Sequence, residues 1–192
     1  MSDRLTKEER SRLMSKVKSS GTGPEVLLRH ALWRRGFRYR TNVRNLPGTP
    51  DIVLPRYRTA VFVNGCFWHG HEGCKEFVVP KTNRGFWEEK IARNRERDQE
   101  AWRRLEAEGW HVVTVWECEL KKEAFDSTLS KIGETLLDNL SADERLKSER
   151  KAAIIAARAE AAARKEKLKG HEEELEALFG TAAKGHAPEC QE

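Results

Sequence analysis

Hydrophobic positions along this chain switch between a period of two and a period of three to four, and each switch marks an element. Residues 60–63, Ala-Val-Phe-Val, form a β-branched and aromatic run closed by Gly65, the pattern of a buried strand. Residues 37–43, FRYRTNV, alternate instead and predict a strand with one wet face. The turn LPGTP leads into the short apolar run at 51–54, and Pro55 to Arg58 predicts a hairpin turn back into the 60–63 strand. Residues 110–116, WHVVTVW, read as a further strand.

Helical periods fill the intervals. Leu13 and Val17 lie one turn apart in a helix expected over 5–17, followed by a polar connector at 19–23. The next helix runs from Pro24, a favoured first-turn residue, to Gly36 and buries Leu28, Ala31 and Leu32. A long helix is expected over 85–108, stopped by Gly109, with Ile91, Trp102 and Leu105 facing inward. Phe125, Leu129, Ile132, Leu136 and Leu140 predict an amphipathic helix over 122–140 that docks on the domain or on a partner. Ser141-Ala142-Asp143-Glu144 reads as a capping box opening a separate, solvated helix to Lys169. Leu175, Leu178 and Phe179 form a small docking patch, and the chain beyond Gly180 reads as disordered. The expected class is α/β, a mixed sheet flanked by helices. Its expected parts are a helical arm at 1–20, the main domain at 21–120, the docking helix at 121–140 and a charged extension at 141–192.

Length and composition narrow the class. At 192 residues the chain holds one ordinary domain and an appendage. Mean hydropathy is -0.75 and no apolar run approaches a membrane span. The opening MSDRLTKEER lacks the apolar core of a secretion signal, so a cytoplasmic protein is expected. In that reducing setting, cysteines grouped with histidine point to metal binding or catalysis rather than disulfides.

Charge changes the picture further. Residues 1–120 carry 23 Lys and Arg against 16 Asp and Glu, a balance of +7, while 121–192 carry 13 against 15, a balance of -2. Between Arg10 and Arg58 stand 12 basic residues and two acidic ones, Glu25 and Asp51. Such a field attracts a polyanion, and nucleic acid is the class it suggests, with a solvated basic face as the alternative. The 1–20 arm, with Lys16 and Lys18, suits a phosphate grip.

The chemistry concentrates after the 60–63 strand. Cys66, Phe67, Trp68, His69, His71 and Cys74 crowd one loop, too many soft ligands and large rings for a core. Cys66, His71, Cys74 and the remote Cys118 offer four N and S donors and no oxygen, the set for a closed tetrahedral zinc. Buried inert cysteines are the alternative; Cys190 is a tail thiol. Asp51, opening an apolar strand amid basic residues, reads either as a magnesium ligand or as an Asx-turn at a strand end. Glu25 closes a Thr22-x-x-Glu25 capping box, which explains it without chemistry. Asn94 and Asp98 share a helix face with Ile91; lining the helix edge is the simpler reading, orienting something in a site the other.

Four blocks taken together, LPGTPDIVLP, VFVNGCFWHGHEGC, FWEEKIARNRERD and GWHVVTVWECEL, resemble the very short patch repair (Vsr) DNA mismatch endonucleases, over about residues 14–120. The resemblance implies a restriction-endonuclease-like fold with structural zinc. It further implies magnesium-dependent nicking of one strand 5′ to the thymine of a T:G mismatch left by deaminated 5-methylcytosine. It makes Asp51 the magnesium carboxylate, with the Val63 carbonyl on the same ion, His69 the general base and Glu25 a supporting group. Phe67, Trp68 and Trp87 resemble the aromatics that wedge into the duplex, and Lys16, Lys18 and Asn94 fall among the implied DNA contacts. The implied partners are mismatched double-stranded DNA, with mismatch-repair proteins and a cytosine-5 methyltransferase in the same pathway. A single catalytic centre fits a monomer.

One position departs from the pattern. Where well-known members carry a second active-site histidine, this chain has Asn64, which hydrogen-bonds but cannot titrate. Two other classes therefore stay open, a non-catalytic zinc module that binds DNA and a nickase of the same fold acting on another DNA substrate.

Overall fold

A computed structural model describes residues 20–182 together with Thr6, Glu9, Arg12 and Ser15. The elements in order are α1 (Gly23–Arg34), β1 (Arg40–Thr41), β2 (Ile52–Leu54), a 3-10 turn (Pro55–Tyr57), β3 (Thr59–Asn64), α2 (Arg84–Ala107), β4 (His111–Trp116), a 3-10 turn (Glu117–Leu120) and α3 (Lys122–Ala182). The sheet order is β1-β2-β3-β4. The first two pairings are antiparallel and β3 pairs with β4 in parallel. A parallel pair cannot be closed by a hairpin, and α2 is the crossover that joins it.

Alternation along the strands sorts the core into two layers. Ile52, Leu54, Val61 and Val115 face Leu28, Ala31 and Leu32 of α1 together with Leu129, Ile132 and Leu136 of α3. Ala60 and Phe62, pointing the other way, meet Leu105, with Trp102 and Trp110 against them. Among the described residues no helix is long and apolar enough to cross a membrane.

Two expectations need correction. The strand at 37–43 shrinks to Arg40–Thr41, because Asn42 turns left-handed at φ 48 and ends the ladder; Phe37 and Tyr39 pack on the core from irregular chain. No new helix opens at Ser141: its Oγ donates to the Leu137 carbonyl at 3.0 Å, inside α3. With Leu140 and Ala142 flanking it and no glycine or proline nearby, back-bonding inside the helix wins over capping. Of the expected arm, Thr6 and Glu9 exchange capping hydrogen bonds at 2.8 and 3.2 Å. Lys16, Lys18, Cys190 and the side chains of Leu178 and Phe179 lie outside the described residues.

The chain divides into two compact units between Ala142 and Asp143. The second unit, taken by itself, is an exposed helix on which Leu146, Ile154, Ile155, Leu168 and Leu175 are all open to solvent.

The turn before β2 is tightly packed. Gly48 sits at φ +72 and a Cβ there would stand 2.8 Å from the Ala101 Cβ and 3.1 Å from Phe62. Thr49, β-branched, follows at φ 52, a strained conformation held by the packing around it. Gly48→Ala is therefore expected to cost about 1–3 kcal/mol, from overpacking and left-handed strain. A urea midpoint unchanged from the parent would show that the turn yields freely.

Candidate active site and metal centre

Asp51 leaves that turn at the foot of β2, and its carboxylate crosses to β3. The Val63 N–H donates to Asp51 Oδ2 at 2.8 Å. Behind it stands Glu25, 3% exposed, which accepts from the Gly21 and Thr22 N–H groups and the Thr22 hydroxyl at 2.9, 3.2 and 2.9 Å. Glu25 also holds Arg29 at 2.8 Å, and the same Arg29 nitrogen donates to the Asp51 carbonyl at 3.0 Å. The capping reading of Glu25 is thus real, and the cap reaches Asp51 through Arg29. Burial pushes the Asp51 carboxyl up to about 6; the Val63 N–H opposes this, the Glu25 charge adds to it, and Arg29 and His69 oppose it.

The loop after β3 is pinned by one face of α2. Asn94 Nδ2 donates to the Trp68 carbonyl at 2.9 Å, Arg95 Nε to that of His69 at 3.3 Å and Arg95 Nη2 to that of Gly70. Arg95 Nη1 also pairs with Glu72 at 2.9 Å. Gly70, at φ +65, has no room for a side chain, since a Cβ would lie 2.6 Å from Arg95 Nε. Asp98, one turn further, takes the His69 ring at Nδ1. That contact leaves Nε2 as the other ring nitrogen, the one able to exchange a proton with a ligand. His69, Asp98 and Asn64 line a cleft of about 330 Å³. Asn64 is 4% exposed and among the described residues its Nδ2 has no hydrogen-bond partner, a buried donor suited to a water or a phosphate oxygen. Asn94 and Asp98, read most simply as helix-edge residues, in fact position the loop.

Cys66, His71, Cys74 and Cys118 come together with their donor atoms all within 4.8 Å of one another. His71 Nδ1 lies 3.5 Å from Cys66 Sγ and 3.4 Å from Cys118 Sγ. The S to N edge of a tetrahedral zinc site is about 3.6 Å, from bond lengths near 2.3 and 2.05 Å. The donor set therefore fits such an ion. His71 is held flat against Trp116, centroids 4.1 Å apart and planes 3° apart. Burial raises the thiols of Cys66 and Cys118, the latter to about 12, and each sulfur feels the others. Cys74 is shifted the other way, its thiol lowered by the Glu76 N–H.

Phe67, Trp68 and Trp87 form one edge-to-face cluster with centroids 5.1–6.0 Å apart. Phe86, 53% exposed, extends it, and Lys90 Nζ stands 5.3–5.8 Å over Trp68, Trp87 and Phe86. Phe86, Lys90 and Arg95 were not expected from sequence; for Phe86 and Lys90, their spacing of eight and four residues from Asn94 on the long helix is the one signal that could have found them.

This geometry has relatives. A protein-family model described as DNA mismatch endonuclease Vsr matches residues 2–76. The type II nicking enzyme V.NmeAIP of Neisseria meningitidis serogroup A is 50% identical over 124 residues, covering 65% of this chain and 88% of that protein. The chain belongs to the Vsr family of DNA endonucleases. The DNA mismatch endonuclease Vsr of Escherichia coli K12 is 42% identical over 121 residues, covering 63% of this chain and 77% of its own length. Among solved structures, the homing endonuclease I-Bth0305I catalytic domain aligns at 18% identity and TM-score 0.44, over 62% of this chain and 99% of that one. These alignments leave roughly a third of this Vsr-family chain unmatched.

The Asp51 environment has a measurable sign. Its folded pKa, about 6, exceeds the ordinary value of 3.8, so the ionised carboxylate destabilises the metal-free fold above pH 6. The penalty shrinks as pH falls through that window and is absent below about 4. Asp51→Asn, neutral throughout, is expected to raise unfolding free energy in EDTA at pH 7 by about 1–3 kcal/mol. The gain should vanish near pH 4. Equal stability of the two proteins at pH 7 would show that Asp51 is not held in a desolvated site.

Proposed function

We propose that this protein is a metal-dependent nickase that cuts one strand 5′ to the thymine of a T:G mismatch arising from 5-methylcytosine. The observation that carries the reading is the His69–Asp98 pair set beside the buried Asp51. In a restriction-endonuclease-like site of this kind, Asp51 and the Val63 carbonyl would hold magnesium, which supplies polarisation of the phosphate and stabilises the charge that builds on it.

The chain's own residues do the rest. Asp98 accepts from His69 Nδ1 and fixes the ring, so that Nε2 takes the proton of the attacking water. Arg29 and Glu25 hold the Asp51 backbone and charge in place. Asn64 Nδ2 donates to a phosphate oxygen or to the water, a positioning role that needs no titration. Phe67, Trp68, Trp87 and Phe86 insert against the base pairs, where unstacking costs least at a mismatch. Lys90, over three of those rings, is suited to the adjoining phosphate. Asn94, whose Nδ2 holds the Trp68 backbone, stays with Lys16 and Lys18 among the proposed DNA contacts.

Zinc is the ion we assign to Cys66, His71, Cys74 and Cys118, because soft N and S donors without oxygen favour it. A cytosine-5 methyltransferase is the partner class the substrate requires, since the mismatch arises only where cytosine was methylated. Asn64 favours a second reading, a DNA-binding module without cleavage.

A labelled T:G duplex with magnesium separates the two. Cutting of the thymine strand alone, absent with EDTA, on the matched duplex and in Asp51→Ala, is the expected result; intact DNA in every lane would leave the module. Asp98→Asn is expected to lower kcat by about 10²–10⁴ with little change in KM, as loss of an oriented base does. Asn64→His with an unchanged rate and pH profile would remove position 64 from the chemistry. Metal analysis should find one zinc per chain, and its removal by a strong chelator should lower Tm; a metal-free protein of equal Tm would reject the staple.

A further inference from the structure

The second unit carries a charge pattern that the nickase site does not use. From position 145 to 169 there are nine Lys and Arg and three Glu, a local balance of +6 inside a half whose total is negative. The segment is helical and exposed throughout. At about 100° per residue, Lys147, Lys151, Arg158, Lys165 and Lys169 fall within about 40° of one another. Glu149, Glu160 and Glu166 lie about 60° or more outside that stripe on the same arithmetic. Lys169 meets Glu173 at 3.9 Å, and among the described residues Lys147, Lys151, Arg158 and Lys165 have no ion-pair partner.

We infer that this stripe is a second DNA-binding element, gripping the phosphate backbone of duplex DNA. A merely solvated helix face mixes signs at i, i+4, because opposite charges one turn apart attract. Here the cations are segregated and repel one another, a cost that a polyanion turns into a gain. The stripe runs about 33 Å at 1.5 Å per residue, close to one turn of B-DNA. Ala152, Ala153, Ala156, Ala157, Ala159, Ala161, Ala162 and Ala163 give the segment high helix propensity, so little ordering is left for binding to demand. An anionic membrane is a poorer fit, since no aromatic residue accompanies the stripe and alanine dominates its apolar flank. Contacts of this kind read no sequence; they raise affinity and residence on DNA. The inference rests on the chain being a DNA-acting enzyme and not on which mismatch it cuts.

The test compares two full-length triple variants that lose the same charge. One is Lys151→Gln, Arg158→Gln and Lys165→Gln on the stripe; the other is Arg145→Gln, Arg150→Gln and Arg164→Gln off it. Binding to a fully matched duplex is read by anisotropy in EDTA across a salt series, with circular dichroism to confirm that both remain helical. The stripe variant should lose about 2.7 from the slope of log K against log salt, at ~0.9 per phosphate contact, and bind about tenfold or more weaker near 0.1 M salt. The control should change by less than one contact. In nicking, the stripe variant should raise KM and leave kcat alone. Equal slopes for the two variants would overturn the inference, as would a stripe variant that loses affinity for anionic phospholipid vesicles but not for DNA. The slope comparison needs no cleavage, so it stands apart from the fate of the nickase reading.

Discussion

A buried carboxylate needs compensation, and Asp51 organises the first unit around that need. Desolvation disfavours its charge, and the Val63 N–H offsets only part of the cost. A further part is offset from the opposite side, where Glu25 fixes Arg29 and Arg29 grips the Asp51 carbonyl rather than its carboxylate, and a net penalty remains. That choice matters. A guanidinium bonded to the carboxylate would neutralise it and hold it ionised at low pH; one bonded to the backbone fixes the residue and leaves its charge available. The strained turn at Gly48 and Thr49 serves the same end, because it aims β2 so that Asp51 meets β3.

The second constraint is that the chemistry stands on a loop, and loops move unless tied. Four successive points of this loop, Trp68 to Gly70 and Glu72, are held by Asn94, Arg95 and Asp98 from a single helix face. The Cys66, His71, Cys74 and Cys118 cluster ties the same loop to the turn after β4. The two ties differ in kind, one made of hydrogen bonds from α2 and the other of clustered Cys and His side chains that reach from the loop to Cys118. His69 lies between them, held at its carbonyl by Arg95 and at its ring by Asp98.

Much of this was legible in the sequence, for physical reasons. Leu28, Ala31 and Leu32 announce a helix face, and the 60–63 run announces a buried strand, because burial imposes period. The cluster was legible because three of its members lie within nine residues, and Cys118 could be joined to them once the parallel pairing of β3 with β4 brings strand ends together. The short β1 was not, since a left-handed Asn42 leaves the hydrophobic alternation of its neighbours untouched. Arg29 and Arg95 were not, because in a helix rich in charge nothing along the chain separates Arg95 from Arg93 or Arg97, which are ion-paired at the surface. Polar residues acquire their roles from what the tertiary fold sets opposite them.

Asn64 illustrates the same point at the centre of the site. Its side chain points to the α2 side of the sheet, the side of Ala60 and Phe62, and into the cleft shared with His69 and Asp98. A histidine there would add a second titrating group next to His69, and two cations close together would hinder each other's protonation. An amide avoids that coupling. It supplies a donor whose charge does not change with pH, and among the described residues its Nδ2 is left without a partner, a state that costs about 1–3 kcal/mol when dry. On the proposed reading, that donor is the one a phosphate oxygen would satisfy. Across the cleft, Asp98 holds the His69 ring at Nδ1 and leaves Nε2 on its other side.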